Sequence, residues 1–170
     1  MAEREPLDEA RLGQVSRRVA EVLFNVWPHL RSHASMERGA EADGLSLYVE
    51  AVSPTGDEER RLGVFFDEGG VPSVGFGPWH SHGDVLTESR DRSRQVSAVL
   101  DIVGAILRDE FVLISEVGGE YPGHTTVVDL RVPNALADEL TNRYSSGVAN
   151  VRSWSGARDH QASLDTVSVQ

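Results

Sequence analysis

Leu45-Ser46-Leu47-Tyr48-Val49-Glu50-Ala51-Val52-Ser53 sets Leu45, Leu47 and Val49 in alternation with Ser46, Tyr48 and Glu50. That is the period of a strand with one buried face. Ser53-Pro54-Thr55-Gly56-Asp57 follows with turn chemistry. Leu62, Val64 and Phe66 then alternate, and Asp67-Glu68-Gly69-Gly70 supplies residues that tolerate positive φ at a tight reversal before residues 71–76. Three consecutive strands joined by short turns read as an antiparallel meander, and this decides the fold class.

On the amino-terminal side, Val15, Val19, Val22, Leu23, Val26, Trp27 and Leu30 recur at steps of three and four. They form one apolar stripe of a helix over residues 8–27, ended near Trp27 by Pro28. The polar stretch 31–44 reads as a connection. On the carboxyl side, Val96, Val99, Leu100, Val103, Ile106 and Leu107 make a second stripe over 88–108, with Thr87 as its N-cap. Residues 111–117 read as a buried strand, Gly118-Gly119 as a turn and 125–132 as its partner. Pro133 opens a short third helix carrying Ala135, Leu136 and Leu140, and 148–154 reads as a last strand.

Clustered strands, instead of strands alternating singly with helices, predict an α+β domain. The expectation is a mostly antiparallel sheet of about five or six strands with the two long helices on one face. A single domain over 1–155 and a flexible tail over 156–170 complete it.

Composition narrows function. The chain has 170 residues, 39% hydrophobic and 25% charged, which suits a folded globular protein and not a disordered one. Asp and Glu total 27 against 16 Lys plus Arg, for a net charge of -11, and every basic residue is arginine. An acidic chain lacks the positive footprint of a nucleic-acid or anionic-membrane binder. With no cysteine there is no disulfide, thiolate nucleophile or Cys-type zinc site. Met1-Ala2-Glu3-Arg4-Glu5 lacks the order of a signal peptide and no apolar run is long enough to span a bilayer, so a cytoplasmic location is expected.

The chemistry-bearing run is Trp79-His80-Ser81-His82-Gly83-Asp84. Histidines two apart in extended backbone share a side, and Asp84 joins them if the extension continues, a ligand set suited to zinc, manganese or iron. His80 and His82 share parity with Val74 and Phe76, so an unbulged strand turns both imidazoles to the core face. Against this stands a structural role, in which the histidines bond to backbone carbonyls beside Trp79. The two readings weigh about equally, because a histidine pair alone is a common coincidence.

His80-Ser81-His82-Gly83-Asp84 resembles the first metal-binding run of metallo-β-lactamase-like hydrolases, with Val85 where that family has a third histidine. That resemblance implies a metal hydrolase with His124 or His160 as a later ligand. The run is also similar to the His-x-His of JAMM-type deubiquitinases, although Ser89 and Asp91 each arrive early for that pattern. Residues 45–84 as a whole, with the Ser-Pro-Thr turn, the hairpin and the Trp-His-Ser-His patch, look like small immunity and accessory proteins of bacterial polymorphic toxin systems. That resemblance implies a non-enzymatic protein that neutralises a basic toxin domain, using Trp79, His80, His82 and Asp84 and needing no cofactor. Charge complementarity suits such a pairing, since opposite sign raises association rates. The alternative is a hydrolase with one divalent metal such as zinc on His80, His82, Asp84 and His124.

Other signals read as structure. His29 and His33 are four apart but sit beside Pro28 with no acidic partner at the right step. Arg90, Arg92 and Arg94 neighbour Glu88 and Asp91 on a salt-bridged solvent face. Glu116-Val117-Gly118-Gly119-Glu120 lacks the lysine and Ser/Thr of a phosphate loop, and no Gly-x-Ser-x-Gly elbow occurs.

Overall fold

The computed structural model describes residues 4–38, 44–66, 70–117, 124–143 and 147–163. In chain order the elements are β1 (Glu5–Pro6), α1 (Gln14–Val26), β2 (Ala34–Arg38), β3 (Leu45–Ala51), β4 (Leu62–Phe66), β5 (Ser73–Phe76), β6 (Trp79–His82), α2 (Gly83–Thr87), α3 (Arg92–Leu107), β7 (Phe111–Val117), β8 (Thr125–Asp129), α4 (Ala135–Arg143), β9 (Val148–Arg152) and β10 (His160–Ser163). The fold is α+β, with antiparallel pairing in a six-stranded sheet of order β1-β2-β3-β4-β5-β6 and a four-stranded sheet of order β10-β9-β7-β8. The chain groups into two compact units interleaved in sequence. The first holds Met1–Val52, Arg61–Gly75 and His80–Val103, and the second holds Ser53–Arg60, Phe76–Trp79 and Gly104–Gln170.

In the first unit the meander forms as its alternation implies. Leu47, Val49, Val64, Phe66 and Val74 are fully buried on one face of the sheet, and α1 packs on β3 and β4 there. α1 ends at Val26 because Pro28 follows, and a 3-10 turn, Pro28–His33, carries the chain away. The face it buries differs from the expected stripe. Ser16, Val19, Ala20, Leu23 and Phe24 are buried, whereas Val22 and Val26 are 49% and 58% exposed. Small residues explain the rotation. The Ser16 hydroxyl donates to the Phe66 carbonyl at 2.8 Å and accepts the Leu47 N–H at 3.1 Å, entering between two residues that are register partners. A larger side chain there would push α1 off the sheet.

Two further expectations are corrected. Residues 31–44 are not only a connection, because Ala34–Arg38 forms β2 and buries Met36 completely against β3. Thr87 does not cap the long helix; it closes the short α2, and Glu88 takes a left-handed φ of 51° that separates the two helices. Asp91 caps α3 instead, its Oδ1 accepting the Ser93 N–H at 2.9 Å.

The second unit is built on β7, whose Val112 and Ile114 are fully buried. They form a cluster with Val128, Ala149 and Val151, against which Leu130, just past β8, and Ala135, Leu136 and Leu140 of α4 pack. The segment expected as a tail contributes β10, paired with β9 from His160 to Ser163, so the ordered chain continues past 155. Arg60, only 8% exposed, ties residues 53–60 to this end of the chain. It donates to Asp57 Oδ2 at 2.9 Å, Asp159 Oδ2 at 2.5 Å and the Ser153 carbonyl at 3.0 Å. The glycine turn at 118–119, the acidic part of the bend at 67–69 and residues 164–170 lie outside the described residues.

Candidate functional site on the open face of the six-stranded sheet

The position of His80 and His82 follows from the turn before them. Gly77 and Pro78 form a two-residue turn, with Gly77 at φ +57° and proline fixing the next φ near about -65°. Only glycine fits at 77, since a Cβ would stand 2.3 Å from the Glu59 carbonyl oxygen. A two-residue turn sets Phe76 opposite Trp79, Gly75 opposite His80 and Ser73 opposite His82. The expected parity is therefore inverted. Val74 and Phe76 are buried, while His80 and His82 are exposed on the other face, with ring centroids 5.8 Å apart in an edge-on arrangement.

That other face is partly exposed, with Ser46 alone fully buried on it. Ser35 and Glu37 of β2, Tyr48 and Glu50 of β3, Gly63 and Phe65 of β4, and Ser73 and Gly75 of β5 all lie on it and are half-buried. Tyr48 and Phe65 are register partners whose rings stand 6.2 Å apart and tilted by 56°. The Tyr48 hydroxyl donates to Glu50 Oε2 at 2.8 Å, and Arg4 donates to the same oxygen at 2.8 Å. The Arg4 guanidinium lies 3.6 Å above the Tyr48 ring, and Arg61 pairs with the second carboxylate oxygen of Glu50. The hydrogen bond from Tyr48, followed by those from Arg4 and Arg61, holds the Glu50 carboxyl below its ordinary range despite the opposing effect of burial. Burial and the neighbouring Glu50 charge push the Tyr48 phenol up.

The remaining residues of the run separate. Trp79 is half-buried, and its ring packs 5.5 Å from that of Phe111 within the second unit. Asp84 is exposed, and its Oδ1 accepts the Val85 N–H at 2.9 Å in the first turn of α2. His124 is exposed and belongs to the second unit. Among the described residues no group of three or more His, Asp or Glu side chains is placed to hold a metal ion. His29 and His33 are exposed on the 3-10 turn after α1.

The sequence pattern does not by itself single out Tyr48 and Phe65, although it carries a signal for them. Both are large aromatics in the outward phase of strands whose inward phase is already filled by Leu47, Val49, Val64 and Phe66.

Comparison with protein-family models, with curated proteins and with solved structures finds no match to this chain. Among the described residues no helix is long and apolar enough to cross a membrane.

Proposed function

We propose that this chain is a non-enzymatic protein-binding module of the bacterial cytoplasm, of the kind that neutralises a basic toxin domain. The observation that carries the reading is the open sheet face. His80 and His82 stand exposed on the same face as the half-buried Tyr48 and Phe65 rings, held on rigid strands. Aromatic side chains on a rigid element give contact area at small entropic cost, and interface hot spots are enriched in them. The net charge of -11 favours a basic partner and speeds its encounter.

The test compares wild type with a His80→Ala/His82→Ala variant, both purified without chelator. Capture of a basic protein from the source cells by wild type, weakened by salt and lost in the variant, supports the reading. Zinc, manganese or iron at about one per chain in wild type, absent from the variant and with a melting temperature lowered by EDTA, overturns it in favour of a metal hydrolase.

A further inference from the structure

β6 closes one end of the six-stranded sheet. Which of its backbone groups face outward follows from its register with β5. The Gly83 N–H donates to the Pro72 carbonyl at 2.8 Å, so the register set by the turn at Gly77 and Pro78 still holds just past His82. Residues of an antiparallel pair alternate between those that bond across to their neighbour and those that do not. Trp79, Ser81 and Gly83 therefore turn their N–H and C=O groups toward β5, and His80 and His82 turn theirs away from the sheet. As the N-cap of α2, His82 gives its carbonyl to the first bond of that helix. The His80 N–H, the His80 carbonyl and the His82 N–H have no hydrogen-bond partner among the described residues. His80 and His82 are exposed and Ser81, on the other face, is half-buried, so neither face of the strand is sealed. Edge strands are commonly blunted by proline, lysine or a bulge. At the opposite end of this sheet β1 is only Glu5–Pro6, and proline has no N–H to offer. Trp79-His80-Ser81-His82 carries no such device.

We infer that the edge of β6 takes up an extended basic segment of the partner as a further strand of the sheet, a mode of docking that rests on the protein-binding role proposed above. Backbone donors and acceptors spaced as in a strand select an extended chain, because a helix has already bonded its own backbone groups. Alternate side chains of the added strand then lie beside the exposed imidazoles of His80 and His82. Charge gives the sign of the segment. Asp84, two residues beyond His82, is exposed, and among the described residues its carboxylate bonds only to the Val85 N–H of its own turn. A lysine or arginine of the incoming strand meets that carboxylate. The net charge of -11 favours a basic segment over an acidic one, and for the same reason opposes a second copy at this edge.

The experiment uses a fluorescent peptide of about eight residues in which valine alternates with arginine, and two counterparts. One has glutamate for every arginine, and the other keeps the side chains but is N-methylated at its inner residues, which blocks strand pairing. Anisotropy is measured with the full chain and with His80→Pro, which removes an edge N–H that β5 does not use, as a melt of the variant checks. The basic peptide is expected to bind in the range of about 10–100 μM, and both counterparts at least about tenfold more weakly. His80→Pro is expected to weaken the basic peptide by about tenfold, and the bound peptide to slow hydrogen exchange at the His80 and His82 amides by about tenfold or more. If His80→Pro lowers the melt, the N-methylated peptide and the exchange rates carry the comparison. The inference is overturned if the basic peptide fails to bind, if either counterpart binds equally well, or if the two amides exchange as fast with the peptide as without it. Sedimentation showing a wild-type dimer that His80→Pro dissolves also overturns it, since the occupant is then a second copy. If the peptide fails while a captured basic partner still loses affinity with His80→Ala/His82→Ala, strand addition falls and the protein-binding role stands; if that partner is indifferent to the histidines as well, both fall.

Discussion

Replacing Ser16 by alanine removes one hydroxyl that two strands depend on. The Leu47 N–H loses its acceptor and the Phe66 carbonyl its donor, and Leu47 and Phe66 are themselves fully buried. Each lost bond is worth about 1 kcal/mol net, and each buried group left unpaired adds a desolvation cost of about 1–3 kcal/mol. Because Leu47 and Phe66 are register partners, the strands can close and restore part of this through a direct backbone bond. The expected loss is therefore about 2–4 kcal/mol, which lowers the melting temperature by about 5–15 °C for a chain of this length. Urea unfolding followed by circular dichroism reads it, with Ser97→Ala on the exposed side of α3 as the control that changes stability by less than about 0.5 kcal/mol. A Ser16→Ala variant as stable as its control would refute the claim that this hydroxyl joins α1 to β3 and β4.

Val103→Asp places an unpaired charge at a fully buried position of α3, and a cooperative melt close to wild type would show that placement to be wrong; a loss above about 4 kcal/mol is expected. Arg60→Met removes the cation shared by Asp57 and Asp159; with both carboxylates about a third exposed, the cost is discounted to about 2–3 kcal/mol and should appear as faster amide exchange in β9 and β10. Glu50 has a folded pKa held below its ordinary 4.5, so its contribution is present above that value and lost as the pH falls through the lower, folded value. Glu50→Gln should flatten the fall of melting temperature below about pH 4.5, and an unchanged slope would count against the Arg4, Tyr48 and Arg61 cluster.

The meander was legible because β3, β4 and β5 obey strict two-residue alternation, and the end of α1 because proline cannot continue a helix. The misses share a physical cause, in that short polar or small residues did work that apolar counting ignores. β2 has one large apolar side chain, Met36, and its formation rests on pairing with β3 more than on its own pattern. Apolar spacing draws the face of α1 toward Val22 and Val26, whereas Ser16 and Ala20 are what let the helix approach the sheet. The inverted parity at the site has a definite origin. Carrying alternation from Phe76 to His80 ignores the two-residue turn at Gly77 and Pro78, which reverses the faces and turns both histidines outward. Thr87 was a chemically sound cap for a helix that begins only after Glu88 has reset the backbone with a positive φ.

The central claim is that the open sheet face binds a basic protein, and affinity against that partner tests it most directly. Once a partner is captured and purified, titration calorimetry compares wild type with His80→Ala/His82→Ala and with Tyr48→Ala, each checked for a wild-type fold. The account predicts that each variant binds at least about tenfold more weakly, and that wild-type affinity falls as salt is raised. Affinities equal to wild type in both folded variants would contradict it.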